Sequence, residues 1–354
     1  MENPSFLTTL IIYKTTDWEH IIAWKNLKRL SLADSLTSEH EALTELDDVN
    51  EMIGWQAIEH LLCDIHAKRR GNTAWPPLFM FKALLLQSWY NLSDPRLENL
   101  LVRGLLFRRF VSLSLADSVP DHSSIWRFRQ LLEKQGLMDS LLAEINRQLS
   151  VQGFYIRAGE ISIVDASVIQ AQRNRPNKDK EGNNTQDPEA DWNVKQGSDG
   201  KRKSTYGFKS HANVDEDGLI KATAFTAGNV HDSNHFIDLL SGKETAVYAD
   251  SAYKSKKHDD WLEDHHIDNK VVERAYRNTP LTPEQKKKNQ RNSGTRCTVE
   301  RVFGVLKLHY GMGQARYLGL ARNRIRFGVM CLAYNLRRGA NIKKSCETSH
   351  YSCA

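Results

Sequence analysis

The sequence contains few cysteines, and none is spaced as a pair that would bind a metal. No two of them form a C-x-x-C arrangement, so the sequence predicts neither a disulfide framework nor a structural zinc site. We interpret them as small apolar side chains that pack in the core or occur incidentally. The five positions are Cys63, Cys297, Cys331, Cys346 and Cys353.

Long apolar runs are also absent. No segment reaches the roughly 18 consecutive apolar residues that a membrane-spanning helix needs. The short apolar run Phe6–Tyr13 has no basic region ahead of it, so we do not interpret it as a signal peptide. Because 40% of the residues are hydrophobic and 26% are charged, we expect a globular cytosolic protein with a real core and no membrane partner.

Acidic residues are missing from the stretch between Arg301 and Lys344. Residues 270–346 carry 18 Lys/Arg against 3 acids, whereas residues 1–65 carry 12 acids against 4 Lys/Arg. This asymmetry favours a polyanionic partner such as nucleic acid for the C-terminal half. A solvated basic face that binds nothing would have the same composition.

Helical periodicity dominates residues 45–150, for which we predict an all-α N-terminal domain. Apolar residues recur at helical spacing in Trp55–Leu62 and Leu78–Leu86. Ser93 precedes a third helix that should run to about Phe110, and residues 120–124 cap an arginine-bearing helix. Such a series is typical of a helix-turn-helix-like DNA-binding module and equally of a plain bundle. Residues 1–44 are left unassigned.

The pattern changes near residue 155, and strands then alternate with helices. We therefore predict a mixed α/β (α+β) domain over residues 151–345 and a tail over 346–354. Its expected elements are strands 161–165 and 245–250, a mobile polar loop 171–205, a β-hairpin 206–226 that turns at Asp215–Gly218, helices 231–240, 256–265, 295–309 and 319–338, and a polar linker 286–294.

Two of these strands should end on an aspartate, Asp165 and Asp250. Such positions often carry catalytic groups, because the strand is rigid and the following loop is open to substrate. If the strands are neighbours, the two carboxylates meet, and a divalent cation such as Mg²⁺ would relieve their repulsion. Taken singly, an aspartate after a strand is more often a cap or turn residue than part of a site.

A third acid lies within the pattern Arg296-x₃-Glu300-x₆-Lys307. On a helix these three residues share one face, since they lie one and two turns apart. The arrangement is compatible with a surface ladder of ion pairs. It is also compatible with a carboxylate that completes a metal site beside two cations that contact phosphates.

These features together resemble the DDE transposases of bacterial insertion sequences, specifically the IS5 group of the IS4-like superfamily. The resemblance runs from about residue 45 to 340, and one position departs from it, because Ser293 stands where the family signature often has tyrosine. Further runs that carry the resemblance are Trp89–Pro95, Pro120-Asp121 with Phe128-Arg129, Tyr206–His211, Gly228–Ser233 and Ala249–Tyr253.

The resemblance implies a ribonuclease H-like core in which Asp165, Asp250 and Glu300 hold two Mg²⁺ ions about 3.5–4 Å apart, with Mn²⁺ able to substitute. It also implies in-line attack by water or a 3′-OH on double-stranded DNA at transposon ends and target, by a homodimer or larger oligomer in the bacterial nucleoid. The candidate DNA contacts are Arg296, Arg301 and Lys307 near the site, then Lys209, His211 and Lys254, and Arg127 and Arg129 in the N-terminal region.

Two alternatives stay open at this point. A domesticated relative would cut DNA without mobilising it, and a repressor would bind DNA with an idle catalytic centre. The presence of all three acids at workable positions favours an active transposase over the repressor.

Overall fold

A computed structural model describes residues 24–25, 27, 40–65, 73–153, 160–172, 177–182, 185–196, 201–275 and 280–351. The unassigned segment 1–44 therefore lies mostly outside the described residues, as do parts of 171–205 and the last three residues of the tail. No helix in the described ranges is both long enough and apolar enough to cross a membrane.

The N-terminal part of the described chain is helical, as the periodicity predicts. Local capping explains several boundaries: Pro77 opens a helix where its missing N–H is not needed, and Asp121 accepts the N–H of Ser124 at 2.8 Å. The helices are α1 Glu41–Thr44, α2 Asp47–Met52, α3 Trp55–Leu62, α4 Pro77–Trp89, α5 Asp94–Arg103, α6 Leu105–Val111, α7 His122–Gln135 and α8 Met138–Val151.

The helix expected from Ser93 to about Phe110 is in fact two helices, α5 and α6, which divide at Gly104. Gly104 has extended backbone angles (φ −99°, ψ 112°). A Cβ at this position would lie 2.7 Å from the carbonyl oxygen of Leu100. The sharp change of direction therefore requires glycine.

A mixed sheet follows the helices. Its strands are β1 Ile161–Gln170, β2 Asp191–Gln196, β3 Arg202–Val214, β4 Ile220–Ala227, β5 Ala246–Ala249 and β6 Asp268–Asn269. The order across the sheet is β2-β3-β1-β5-β6, and β4 also pairs with β3. β3 is antiparallel to β1, β2 and β4, whereas β5 is parallel to β1 and β6. The predicted mixed α/β class is thus confirmed.

The expected β-hairpin is β3 and β4, and its turn is closed by Asp215. The Oδ1 atom of Asp215 accepts the N–H of Leu219 at 2.7 Å, and Gly218 adopts φ +80°, which favours glycine. A Cβ on Gly218 would also approach Val302 to 3.3 Å.

Part of the predicted polar loop 171–205 is instead ordered as strand. β2 occupies Asp191–Gln196, and β3 already begins at Arg202. The ladder between them pairs Trp192 with Tyr206, whose rings lie 5.3 Å apart. An edge strand that is supported by pairing and by one aromatic contact needs little apolar periodicity of its own.

Three further predictions need correction: the helix 231–240, the linker 286–294 and the start of the tail at 346. The expected helix 231–240 is two short 3-10 helices, Asp232–His235 and Ile237–Leu239, and the linker 286–294 lies inside a helix. A capping box between Thr282 and Gln285 starts that helix early. The remaining helices are α9 Lys256–Asp264, α10 Pro283–His309 and α11 Leu320–Tyr351, so α11 extends into the predicted tail.

The C-terminal helix α11 joins the N-terminal helices to the sheet. Trp89 on α4 donates to the carbonyl of Ala333 at 2.8 Å. The buried amide of Asn335 donates to Ile220 on β4 and to Asn146 on α8, both at 2.8 Å. One buried apolar cluster accordingly runs through α2–α8, the sheet, α10 and α11, so residue 150 is a change of secondary structure rather than a boundary in packing.

Arg129 on α7 forms a buried ion pair rather than presenting its charge to solvent. Its guanidinium contacts Asp94 at 2.6 Å and Gln87 at 2.8 Å, and its side chain is 6% exposed. The guanidinium also lies over the ring of Tyr317. Arg129 is therefore not placed to contact DNA, contrary to the expectation from sequence.

Replacing Arg129 by alanine should destabilise the fold strongly, because it removes the cation that pairs with the mostly buried carboxylate of Asp94. We expect Arg129→Ala to lower the free energy of unfolding by about 3–5 kcal/mol in a urea titration. Arg127→Ala, two residues away on the same helix but exposed, should change it by no more than about 0.5 kcal/mol. Equal effects of the two substitutions would contradict this assignment.

Candidate active site

The pairing of β1 with β5 brings two carboxylates to one level of the sheet. The parallel register aligns Val164 with Ala249, and the next residues are Asp165 and Asp250. Because parallel strands run in the same direction, both aspartates leave the paired region together. Asp165 lies in the middle of β1 rather than at its end, contrary to the sequence-based prediction, but β5 ends at Ala249 and opens the sheet beside it.

Each aspartate is oriented by a backbone N–H. The Oδ1 atom of Asp165 accepts the N–H of Ala166 at 2.8 Å. The Oδ1 atom of Asp250 accepts the N–H of Ser251 at 2.6 Å and caps a short 3-10 helix, Ser251–Tyr253. The cap role and the site role that the sequence left as alternatives for Asp250 are thus compatible.

Helix α10 presents Glu300 to the same region. The helix packs through a buried stripe, which leaves Glu300 facing outward with its side chain 56% exposed. Its partner one turn earlier is Arg296. The buried residues of the stripe are Thr298, Val299, Val302, Phe303 and Leu306.

Arg296 connects two of the three acids. Its Nη1 lies 3.7 Å from Asp250 Oδ1, and its Nη2 lies 3.6 Å from Glu300 Oε1. The Arg296 side chain is 14% exposed, whereas the side chains of Asp250 and Glu300 are 46% and 56% exposed. A single, mostly buried cation therefore balances part of the charge of the site.

The third acid, Asp165, is in an environment that disfavours its charge. Burial raises the pKa of Asp165 to about 6, and the charge of Asp250 adds to the rise, while the Ala166 N–H, Arg296 and Lys195 oppose it. A carboxylate in this situation gains from an added cation. Carboxylate oxygens of this kind suit Mg²⁺ or Mn²⁺.

The acids are nevertheless not closed around a metal position. Among the described residues, no group of three or more His, Cys, Asp or Glu side chains lies close enough to hold a metal ion. The Arg296 guanidinium instead approaches both Asp250, at 3.7 Å, and Glu300, at 3.6 Å. The residues fit a divalent cation in their chemistry, but the guanidinium must give way before they enclose one.

Two lysines, Lys195 and Lys307, lie near Asp165. Burial and the charge of Lys195 lower the pKa of Lys307, while Asp165 raises it, so the three charges are close. Lys195 is on β2 and was missed in the sequence because it falls in the predicted loop. The alternation Asp191-Trp192-Asn193-Val194 was the only signal of a strand there.

Tyr253 is a further neighbour that the sequence reasoning did not assign. It is 1% exposed, and its hydroxyl has no hydrogen-bond partner among the described residues. Burial raises the pKa of Tyr253, and the carboxylates of Asp165, Asp232 and Asp250 raise it further. Its hydroxyl is an unused donor beside the acids.

Comparison with known families decides what this constellation belongs to. A family model described as "Transposase DDE domain" matches residues 157–336, just over half of the chain, and includes all three acids. A second, described as "Transposase domain (DUF772)", matches residues 22–131. The chain belongs to the DDE transposases. It is an enzyme that cuts and transfers DNA. The family match together with the mixed sheet confirms the expected ribonuclease H-like core. Membership of the IS5 group stays a prediction.

Two solved structures resemble the transposase over much of its length. "Crystal structure of a pre-cleavage Mos1 transpososome" is 10% identical, covers 71% of this chain and 78% of that chain, and has a TM-score of 0.19. "Crystal structure of the Mos1 Strand Transfer Complex" is 10% identical, covers 74% and 86%, and has a TM-score of 0.19. At such TM-scores neither likeness supports a conclusion about the transposase.

The remaining candidate DNA contacts of the transposase divide into exposed and engaged side chains. Arg127 is exposed on α7. Arg301 donates to the Thr298 hydroxyl at 3.0 Å and has no ion pair with Asp165, Asp250 or Glu300 among the described residues. Lys254 is shared between Asp259 at 3.2 Å and Glu273 at 3.3 Å.

Lys209 and His211 are buried in β3 and do not reach the surface of the transposase. Lys209 pairs with Asp232 at 2.8 Å and donates to Val230 at 2.7 Å. His211 lies 3.0 Å from the Thr226 hydroxyl, and burial lowers its pKa to about 4. Both positions had been expected to contact DNA, and the structure gives them internal partners instead. Nearby His231 caps the first of the two 3-10 helices, and its side chain accepts the N–H of Ser233.

The burial of His211 predicts a pH dependence of stability. Its pKa in the folded state, about 4, lies below the value of about 6.5 in an unfolded chain. The unfolded state therefore takes up the proton first as pH falls, and stability present above pH 6.5 is lost between about pH 6.5 and 4.

We expect His211→Gln to remove roughly 2–3 kcal/mol of this pH-dependent loss in urea titrations at pH 7.5 and 4.5. His309→Gln, at an exposed position, should keep the wild-type dependence. If His211→Gln and wild type lose the same stability between these two pH values, His211 is not the buried neutral group described above.

Proposed function

We propose that the transposase binds the terminal inverted repeats of its insertion sequence and catalyses Mg²⁺-dependent strand cleavage and strand transfer by direct in-line phosphoryl transfer. The observation that carries this proposal is the register Val164↔Ala249, which brings Asp165 and Asp250 together beside the Arg296–Glu300 turn of α10. Two carboxylates on neighbouring strands of a rigid sheet, with a third on the helix that packs against it, suit phosphoryl-transfer chemistry.

Asp165, Asp250 and Glu300 would hold the divalent cation, which supplies Lewis-acid stabilisation of charge on the phosphate when bound. The chain's own contribution is to position the three acids and to place cations beside them. Lys195 and Lys307 lie close to Asp165 and would hold phosphate oxygens next to it. Arg296 offers a planar fork of donors that suits a phosphate.

The reaction needs no covalent link between protein and DNA. An oxygen of water, or of a 3′-OH, forms a bond to phosphorus as the bond from phosphorus to the opposite oxygen breaks, and the leaving oxygen ends as a 3′-OH. Water as attacking group gives cleavage, and a freed 3′-OH as attacking group gives joining to target DNA. The same residues serve both steps because only the attacking oxygen changes.

The N-terminal helices are proposed to recognise the transposon ends, with exposed Arg127 as a candidate contact. Cutting and joining two ends in a coordinated way requires both ends in one complex, so we propose a homodimer or larger oligomer on DNA. Cleavage and joining assays on transposon ends distinguish this function from the two alternatives, a domesticated nuclease and a repressor with an idle catalytic centre.

Purified protein should cleave a duplex that carries the inverted repeats flanking its gene, in Mg²⁺ or Mn²⁺. Asp165→Asn, Asp250→Asn and Glu300→Gln should each lower the cleavage rate at least about a thousandfold, since each removes a ligand charge. Binding of the ends, followed by gel shift, should change by less than about threefold.

Glu263→Gln, an exposed acid on α9, is the matched control and should cleave at the wild-type rate. Cleavage without subsequent joining would favour the domesticated nuclease. Wild-type binding of ends without cleavage in either ion would favour the repressor. Full activity in all three acid variants would rule out the metal-site assignment.

Lys195 and Lys307 should contribute to DNA affinity through charge. Lys195→Ala and Lys307→Ala should each reduce the slope of log K against log salt by about 0.9, the value for one phosphate contact. Lys134→Ala, at the exposed end of α7, should leave the slope unchanged. Unchanged slopes in both site variants would mean that neither lysine touches DNA.

A further inference from the structure

Arg296 is a mostly buried cation, with 14% of its side chain exposed and unusually poor hydrogen bonding. Its closest approaches to carboxylate oxygens, 3.7 Å to Asp250 and 3.6 Å to Glu300, exceed the 2.7–2.9 Å of charge-assisted hydrogen bonds. Its Nε is fully buried and has no partner among the described residues. A guanidinium with five donors normally uses most of them when it leaves water. Arg296 is therefore held in place mainly by charge.

The acids on either side hold Arg296 only weakly. Asp250 and Glu300 are both about half exposed, so water and salt screen their attraction for the guanidinium. The Arg296 guanidinium therefore offsets the negative charge of Asp250 and Glu300 without forming strong hydrogen bonds to either.

We propose that Arg296 is an internal counter-ion that holds Asp250 and Glu300 apart in the DNA-free transposase and competes with the divalent cation for them. The proposal rests on the function given above, because it assigns the cation to the same acids. When the cation binds, the guanidinium leaves Asp250 and Glu300 and becomes available to a DNA phosphate, which its planar fork can accept through two hydrogen bonds.

The movement of Arg296 from the acids to a phosphate couples the binding of DNA to the binding of the divalent cation. A phosphate that draws Arg296 away frees the acids for the cation, and a bound cation frees Arg296 for the phosphate. By linkage, DNA must tighten cation binding by the same factor by which the cation tightens DNA binding. The catalytic cation is then held most firmly when substrate is present.

The test is the affinity of the full-length, DNA-free protein for Mn²⁺, measured from the free ion by electron paramagnetic resonance. Arg296→Gln should bind Mn²⁺ about threefold to thirtyfold more tightly than wild type, the range expected for loss of two screened ion pairs. Arg301→Gln removes the same charge from the same helix but not from between the acids, and it should stay within about twofold of wild type.

Addition of a short DNA duplex should strengthen Mn²⁺ binding in wild type and much less in Arg296→Gln. Arg296→Lys should fall between the two, because one compact ammonium does not bridge both acids. Should the glutamine variant fail to fold, the wild-type protein carries the test alone: the Nε–H signal of Arg296 in ¹⁵N-labelled arginine spectra should shift on addition of Mg²⁺.

The proposal would be overturned if Arg296→Gln bound Mn²⁺ no more tightly than wild type. It would also be overturned if the Arg296 Nε–H signal did not shift on addition of Mg²⁺. Asp165→Asn separates this failure from failure of the proposed function. If Asp165→Asn loses Mn²⁺ binding while Arg296→Gln matches wild type, the metal site stands and the competition does not. If wild type binds no Mn²⁺ with or without DNA, both fail.

Discussion

The parallel pairing of β1 with β5 is the constraint on which the site depends. A parallel ladder fixes the level of every residue along both strands, so the register Val164↔Ala249 determines that Asp165 and Asp250 emerge side by side. A shift by one residue would turn one aspartate to the opposite face of the sheet. The two carboxylates would then lie on opposite faces and could not contribute to one site.

Helix α10 adds the third acid by packing on this sheet. Its buried stripe, which includes Val299, Val302 and Leu306, holds the helix against the strands, and Glu300 projects from the other side. The early start of the helix at Pro283 gives it about seven turns, which makes it a rigid support. The position of Glu300 is thus a consequence of apolar packing rather than of any contact between the acids.

Charge balance explains the rest of the site. Three acids with no added cation would repel one another, and Arg296, Lys195 and Lys307 offset this repulsion. Burial still raises the pKa of Asp165, so the charged form of this carboxyl stays disfavoured despite the nearby cations. The site is consequently stable enough to fold and still favourable for a divalent cation.

Sequence patterns predicted the parts of this account that depend on local chemistry. The turn residues Asp215–Gly218 identified the hairpin, and the spacing of Arg296, Glu300 and Lys307 identified the helix face that carries the third acid. The strand β2 was not predicted, because it depends on pairing with another strand rather than on its own residues. β2 is ordered by its ladder to β3, so Lys195 was hidden in an apparent loop.

Buried charged residues were the other source of error. Lys209, His211 and Arg129 look like surface side chains in a sequence, because charged groups are seldom buried without a partner. Each has a partner that is distant along the chain: Asp232, Thr226 and Asp94 respectively. Such pairs emerge only when the fold brings them together.

The central claim is that Asp165, Asp250 and Glu300 form one cation site, and iron-mediated cleavage of the polypeptide tests it most directly. When hydrogen peroxide and ascorbate are added, Fe²⁺ bound in place of Mg²⁺ reduces the peroxide to hydroxyl radicals, which cut nearby backbone. We predict three cuts, close to residues 165, 250 and 300, that Mg²⁺ suppresses together and Asp165→Asn weakens together. Cuts confined to other parts of the chain, or cuts at these positions that respond to Mg²⁺ independently, would contradict a shared site.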